Sequence, residues 1–384
     1  PPGVADRRRV AVIPPEIRPG LTAAPQIRRR DPSEVEPEVP GPSEVGDPLG
    51  PHRVAVRRRA GGDSATHEHL SARNHVTDRM AHRSLSAGGM SQPRQVCPGR
   101  TYLLTRRTTR RYFLFRPDRD GTEARIFWYC LAVAAHRHGL LVHAANQLGN
   151  HIHLVVTDVR GVLPHFLRDF HRWLACATKA HRGWPAEVFD KDQASCVQTL
   201  TATSLANKMA YTIANAPTSG LVRYSHQWPG AMTRVDDVGR RVVRVPRPAA
   251  WFDADSGLWP DEGRVEIVMP EALVAEHGSV ESARQALAAE VRRLEHEAWR
   301  EAKRRGRGFL GPERAVRAQI TDRGRKWELF GALNPTFAAG GDPEAAAEAV
   351  ERLRGFRAAY RAALERWRRG VRDVLFPVGT WWMR

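Results

Sequence analysis

The pattern of hydrophobic and polar positions changes at Tyr102, and from there it predicts short strands alternating with longer helices. Apolar residues at helical spacing, such as Leu163, Phe166 and Phe170, indicate amphipathic helices, whereas short β-branched and aromatic runs indicate strands. The predicted strands are Tyr102–Arg107, Tyr112–Phe115, Leu140–Gln147 and Ile152–Thr157, and the predicted helices are 122–138, Leu163–His181 and 201–214. Helices packed on one face of an antiparallel sheet would form an α+β domain over residues 101–232.

Residues 1–100 differ from the rest of the chain because they contain no Phe, Trp or Tyr and are rich in Pro, Gly and Arg. Such a segment buries too little apolar surface to offset the entropy that it loses on ordering. We therefore expect it to be disordered. Two interpretations stay open: an extension upstream of the true start, with Met80 or Met90 as alternative starts, or a basic tail that helps to hold DNA.

Residues 233–384 are predicted to be a mainly helical extension. The pattern indicates strands at Val242–Val245 and Val265–Met269, followed by helices at 279–305, 312–320 and 343–374. The segment 300–326 contains ten Lys or Arg residues and three acids. A solvated helix face and a surface that contacts a polyanion are both compatible with this charge.

The whole chain of 384 residues is strongly basic, with 60 Lys and Arg against 42 Asp and Glu and a formal net charge of +18. This excess favours a polyanionic partner, although a genome that uses Arg heavily would produce it too. The four cysteines form no CxxC pair, and no run approaches the roughly 18 apolar residues that span a bilayer. We expect no membrane partner and a cytoplasmic, nucleoid-associated location.

A pair of histidines gives the sharpest local signal. In Asn150-His151-Ile152-His153, the two imidazoles are two residues apart on a predicted strand and therefore point to the same face. Two such imidazoles are able to share a divalent metal ion. The alternative is a pair of polar residues on a solvated strand face.

A tyrosine near the end of the predicted helix 201–214 and an asparagine directly after that helix are expected to lie on the same face. Tyr211 and Asn215 are four residues apart, and a phenol is a competent nucleophile where its charge is stabilised. The amide oxygen of Asn215 would complete a metal site with His151 and His153. The alternative is an ordinary half-buried aromatic followed by an ordinary helix end.

These two motifs, in this order, resemble those of REP-associated tyrosine transposases, within the single-tyrosine HUH endonuclease superfamily. The segment LLVHAANQLGNHIHLVV is similar to the family's metal-binding strand pair, and YTIANAPTSGLV is similar to its helix-end signature. Thr212 stands where the family usually has Ile, and Pro217 follows Asn215 by two residues instead of one. The resemblance covers residues 100–232.

The resemblance implies an antiparallel sheet with packed helices, related to the ferredoxin and RRM folds. It implies that Tyr211 attacks a phosphodiester of single-stranded or hairpin DNA and forms a 5′-phosphotyrosyl bond with a free 3′-hydroxyl. It also implies Mg²⁺ or Mn²⁺ on His151 and His153. Members of the family include monomers and homodimers, and both states remain open here.

Five cations near these motifs are candidates for DNA contact. Four surround the first predicted turn and one precedes the tyrosine by a helical turn: Arg106, Arg107, Arg110, Arg111 and Lys208. Two other functions remain alternatives. One is a replication initiator or relaxase with the same chemistry, and the other is a DNA-binding protein that has lost cleavage.

Overall fold

The structure is a computed structural model, and it describes residues 93–191, 193–323 and 335–381. Of the segment 1–100 that is predicted to be disordered, residues 1–92 lie outside the described residues, whereas residues 93–100 are described and include the buried Val96. Within the described part of the chain, no helix is long and apolar enough to cross a membrane.

The described residues form a mixed α+β structure. In chain order the strands are β1 (Arg100–Arg107), β2 (Leu140–Gln147), β3 (His151–Asp158), β4 (Ser195–Thr199), β5 (Val242–Pro246), β6 (Glu262–Glu266) and β7 (Phe337–Ala338). The helices are α1 (Thr122–His138), α2 (Leu163–Arg182), α3 (Ala202–Ile213), α4 (Asn215–Thr218), α5 (Glu271–His277), α6 (Val280–Arg304), α7 (Pro312–Arg317) and α8 (Pro343–Arg368).

The main sheet has the strand order β2-β3-β1-β4-β7. The chain runs β1-α1-β2-β3-α2-β4, so β3 lies between β1 and β2, as in the ferredoxin-like split β-α-β arrangement. Within this order, β2, β3, β1 and β4 pair with one another in antiparallel fashion, whereas β7 pairs with β4 in parallel. The predicted α+β class is therefore confirmed, but the sheet is mixed and not purely antiparallel.

Local sequence explains where the helices begin and end. Helix α1 ends at Gly139, which adopts a left-handed conformation with φ 67° that costs a glycine little. Helix α3 begins after Thr201, whose hydroxyl accepts from the Ser204 backbone N–H while the Ser204 side chain bonds back in a capping box. Both boundaries agree with the predictions to within one residue.

Two predicted strands are wrong or misplaced, and two others escaped prediction. Tyr112–Phe115 forms only an isolated bridge with Arg323, because Leu114 and Phe115 are both buried and the chain turns there to place them in the core. The predicted Val265–Met269 is shifted, since β6 pairs with β5 over Glu262–Glu266. Strand β4 has adjacent apolar residues only at Cys196 and Val197, and β7 has two residues, so neither shows an alternating pattern.

The edge of β2 is covered by segments of the chain that follow helix α3, the helix that carries Tyr211. The backbone N–H groups of Gln147, Thr233 and Val268 bond to Ala231, Ala145 and Val142, respectively, at 2.8 Å. Such cover removes an exposed row of backbone groups that would otherwise attract another strand. The predicted boundary at residue 232 remains a prediction, while residues on both sides of it share one hydrophobic cluster.

Candidate active site

The two histidines of the HxH motif project together from strand β3, an interior strand of the main sheet. His151 pairs with Arg107 and His153 pairs with Thr105 on β1, while Ile152 points to the opposite face and is buried. The imidazole rings meet edge to face with centroids 4.8 Å apart. The strand periodicity that predicted a shared face therefore produces direct contact between the rings.

Hydrogen bonds from neighbouring residues orient both rings. Nδ1 of His151 donates to the amide oxygen of Asn150 at 2.7 Å, and Nδ1 of His153 lies 2.9 Å from the Thr105 hydroxyl. When Nδ1 carries the proton, Nε2 presents a lone pair to the site. This is the arrangement that orients imidazoles as metal ligands.

The end of helix α3 brings Tyr211 and Asn215 to this histidine pair. The Tyr211 ring meets the His153 ring edge to face at 5.4 Å, and the tyrosine is 40% exposed. The amide oxygen of Asn215 lies 3.2 Å from Nε2 of His151. Asn215 opens the short helix α4, in which Pro217 is accommodated, and its amide oxygen also accepts from the Ser219 hydroxyl at 3.1 Å.

Asn146 on β2 links the sheet to the tyrosine helix, and sequence reasoning missed it. It pairs with His153 across the strands and donates from Nδ2 to the Thr212 carbonyl at 2.8 Å. Its position on the face of the histidines follows from the strand register alone. The bond to Thr212, the residue next to Tyr211, required the tertiary structure.

Two buried polar atoms on neighbouring strands lack hydrogen-bond partners among the described residues. They are Nε2 of His153 and Oδ1 of Asn146. A buried polar atom without a partner costs free energy, on the order of 1–3 kcal/mol. Burial and the nearby charges of His151, Arg107 and Lys208 hold the pKa of His153 well below its usual value, so this ring is neutral and able to act as a ligand.

The donor set fits a divalent cation. Nε2 of His151, Nε2 of His153 and Oδ1 of Asn215 are two imidazole nitrogens and an amide oxygen, and imidazole favours a transition metal such as Mn²⁺ over Mg²⁺. Adjacent ligands of an octahedral ion at about 2.1 Å are roughly 3 Å apart, near the 3.2 Å between His151 and Asn215. Among the described residues, no three His, Cys, Asp or Glu side chains cluster as a metal site.

The structure separates the five candidate DNA-binding cations. Arg107 and Lys208 lie close enough to His153 for their charges to lower its pKa. Arg106 points to the other face, where it donates to the Asp190 carbonyl at 2.8 Å and covers the Phe189 ring.

The two remaining candidates lie in the turn Thr109–Arg111, directly after β1. The backbone N–H of Arg110 bonds to Asp190, and the Arg111 carbonyl accepts from the side chain of Asn150 at 3.5 Å. Both residues have a positive φ, of 50° and 59°, which is uncommon for arginine. Of these two residues, Arg111 contacts Asn150, the residue before His151.

The helix-end signature is held by the chain that follows helix α6. The backbone N–H groups of Leu310 and Gly311 donate to the carbonyls of Gly220 and Leu221 at 3.0 and 2.8 Å. Part of the basic segment 300–326 is thereby placed beside the signature. The sequence offered no sign of this contact, because the paired residues are some 90 positions apart.

No protein-family model and no curated protein sequence matches this chain. Among solved structures, the chain is similar to a REP-associated tyrosine transposase bound to a REP hairpin, with 15% identity and a TM-score of 0.32 over 48% of this chain and 96% of that one. It is also similar to a "putative transposase" from Deinococcus radiodurans R1, with 16% identity and a TM-score of 0.23 over 28% of this chain and 85% of that one.

Proposed function

We propose that this protein is a metal-dependent DNA endonuclease and strand transferase of the HUH type. Its substrate is single-stranded or hairpin DNA, and Tyr211 is its nucleophile. The observation that carries the proposal is the meeting of the two sequence motifs: Tyr211 contacts His153, and Asn215 contacts His151. The histidine pair on an interior strand of a split β-α-β sheet supports the same assignment.

Tyr211 is suited to attack because its ring is held by His153 while 40% of the residue remains open to solvent. Its phenolic oxygen forms a bond to the phosphorus of a phosphodiester, and the bond from phosphorus to the 3′ oxygen breaks. The phenol gives up its proton and the 3′ oxygen leaves as a hydroxyl. A 5′-phosphotyrosine results, and attack by another 3′-hydroxyl reverses the step onto a new strand.

His151, His153 and Asn215 would hold the metal ion. When bound, Mg²⁺ or Mn²⁺ polarises the phosphate and offsets the negative charge that builds up in the transition state. Asn150 and Thr105 orient the two imidazoles through Nδ1, which leaves Nε2 for the metal.

Arg107 pairs with His151 across strands β1 and β3, and Lys208 lies one helical turn before Tyr211 on helix α3, so both supply positive charge beside the same centre. Cations around a phosphate-binding site raise the local concentration of a polyanion and hold its backbone. These two side chains therefore attract the scissile segment to Tyr211.

The test is the formation of a covalent adduct. The purified chain is incubated with labelled single-stranded oligonucleotides that contain a hairpin, with Mg²⁺ or Mn²⁺, and the mixture is resolved after denaturation. We expect a labelled protein band in the wild type, and none in Tyr211→Phe or His151→Ala. Tyr360→Phe is the matched control, because Tyr360 is a partly exposed tyrosine on helix α8, outside both motifs, and its substitution should leave the band unchanged.

The outcomes separate the candidate functions. An adduct that persists in Tyr211→Phe would show that another residue is the nucleophile. Tight binding of the oligonucleotide without an adduct in the wild type would instead identify a DNA-binding protein that does not cleave.

A further inference from the structure

A continuous stack of aromatic rings and cations runs across two segments of the chain that the proposed chemistry does not use. One segment follows the helix-end signature and the other is the last part of helix α6. We call this stack the aromatic ladder, and its members are Arg223, Tyr224, His226, His296, Trp299 and Lys303.

Short distances join the members of the ladder. The His226 and Tyr224 rings are parallel to within 8°, with centroids 5.6 Å apart. The Arg223 guanidinium lies over both the Tyr224 ring, at 5.2 Å, and the Trp299 ring, at 5.6 Å. Lys303 lies 5.5 Å from the Trp299 ring.

His296 completes the ladder on the helix side. Its ring is 5.7 Å from the Trp299 ring, at an interplanar angle of 30°. Arginine, lysine and aromatic faces at such distances attract each other through the ring quadrupole. The ladder thus joins side chains about 70 positions apart in sequence into one surface.

The backbone beneath the ladder is fixed. Ser225 is buried, and its backbone N–H and its hydroxyl both donate to the same carboxylate oxygen of Glu295, at 2.7 and 2.6 Å. These bonds hold the segment of Tyr224 against helix α6. A binding surface that is already ordered loses little conformational entropy when a ligand stacks on it.

The ladder is open to solvent and positively charged. Tyr224 is 39% exposed, Arg223, His226, His296 and Lys303 are also exposed, and Trp299 is partly exposed. Residues 292–307 include seven Lys or Arg and three Glu.

The three carboxylates of that segment are already engaged. Glu295 is bonded to Ser225, Glu297 pairs with Arg293, and Glu301 pairs with Arg304 and Arg305. They therefore do little to repel a polyanion that approaches the ladder.

We propose that the aromatic ladder binds unpaired bases of single-stranded DNA. Bases stack on aromatic faces whatever their sequence, and the interleaved cations are placed for the phosphates between them. A duplex buries its base faces, so a surface of this kind selects unpaired strand.

The location of the ladder connects it with the proposed cleavage centre. Helix α4, which begins at Asn215, contacts both helix α6 and the turn Ser225–Gln227. Bases held on the ladder would belong to the strand that passes Tyr211. This assignment of the strand rests on the proposed function, whereas the stacking itself does not.

The experiment measures binding by fluorescence anisotropy, with the full chain carrying Tyr211→Phe and with EDTA present, so that no cleavage occurs. The probes are a labelled oligothymidylate and an oligonucleotide of the same length with abasic sites throughout, which keeps the phosphates and removes the bases. We expect the parent to bind the oligothymidylate more tightly than the abasic probe. In Trp299→Ala or Tyr224→Ala, affinity for the oligothymidylate should fall about ten-fold, with little change for the abasic probe.

Two variants serve as controls. Trp367 lies on helix α8 with the Arg372 guanidinium 4.7 Å from its ring, so Trp367→Ala removes a similar side chain outside the ladder and should bind like the parent. Trp299→Phe keeps an aromatic face and should restore most of the affinity. Thermal melting of each variant reports any loss of folded protein.

Equal affinity of the parent for the two probes would overturn the proposal, as would oligothymidylate binding that is unchanged in folded Trp299→Ala. These outcomes are independent of the cleavage assay. If the wild type forms the adduct but the ladder variants bind the oligothymidylate normally, the ladder proposal is refuted and the proposed function stands. If binding depends on the bases but no adduct forms in the wild type, the proposed function is refuted and the ladder proposal stands.

Discussion

The amide oxygen of Asn215 lies 3.2 Å from Nε2 of His151, although the two residues are 64 positions apart in the chain. Nδ1 of His151 donates to Asn150, so in the neutral form of this ring Nε2 presents a lone pair toward Asn215. Two acceptor atoms at this distance are stable when a proton or a cation lies between them. This contact joins the end of the tyrosine helix to the histidine strand, and it is the basis of the proposed metal centre.

Substitution of either partner in that contact should weaken metal binding. We expect Mn²⁺, titrated into the chain by isothermal calorimetry, to bind with a 1:1 stoichiometry that is lost in His151→Ala. Asn215→Ala should bind about 10-fold or more weakly, because it removes one oxygen ligand and leaves both imidazoles. Mg²⁺ should bind more weakly than Mn²⁺ throughout.

His136→Ala is the control for this titration, since His136 is exposed at the end of helix α1. Unchanged Mn²⁺ affinity in both site variants would place the metal, if bound at all, elsewhere. A specific loss in Asn215→Ala would establish the third ligand independently of DNA cleavage.

A larger residue at position 149 should displace the neighbouring Asn150 and thereby disturb the orientation of His151. A Cβ at Gly149 would lie 2.4 Å from the Phe113 ring, which is buried. We expect Gly149→Ala to lower the free energy of unfolding by about 1–3 kcal/mol, as overpacking does, and to reduce the adduct yield because Asn150 orients His151.

Urea denaturation measures this change, and Phe113→Leu in the same chain should recover part of the lost stability. Gly308→Ala is the control, because a Cβ there meets no atom within 4 Å. Full stability of Gly149→Ala would mean that the loop before His151 yields easily and does not hold the ring in place.

Loss of one cation at the site should change how DNA binding depends on salt. Each phosphate contact to a single strand adds about 0.7 to the slope of log K against log salt concentration. We expect Lys208→Gln to reduce that slope by roughly this amount and to weaken binding at low salt. Arg244→Gln removes a cation that pairs with Glu262 on the β5–β6 hairpin and should leave the slope as it is.

The buried histidine at position 143 should make stability depend on pH. Burial lowers the pKa of His143 from 6.5 to about 4, and its ring bonds to the Val268 carbonyl and the Thr157 hydroxyl. The unfolded chain therefore binds a proton below pH 6.5 that the folded chain does not. The stability due to this group is present above pH 6.5 and is lost as pH falls toward 4, by about 1.4 kcal/mol per pH unit.

The measurement is urea denaturation of wild type and His143→Gln between pH 8 and pH 4. We expect the wild type to lose stability more steeply over the acidic half of this range, because Gln does not titrate. His136→Gln, at an exposed position, should follow the wild type. Parallel curves for wild type and His143→Gln would contradict the assignment.

Sequence periodicity was sufficient to predict features that depend on a single helix or strand, such as its bounds and which side chains share a face. Helix α1 and strand β2 occupy their predicted bounds, and His151 and His153 share a face because alternate side chains of a strand point the same way. Tyr112–Phe115 was mispredicted because a buried apolar run looks the same whether it pairs as a strand or turns into the core.

Sequence by itself determined the α+β class, the shared face of the histidines and the one-turn spacing from Tyr211 to Asn215. Tertiary structure decided that these two motifs meet, that Arg107 and Lys208 join them while Arg106 turns away, and that Arg223 stacks between Tyr224 and Trp299. The reason is physical: backbone geometry sets which side chains of one element share a face, but the distance between elements depends on how the whole core packs.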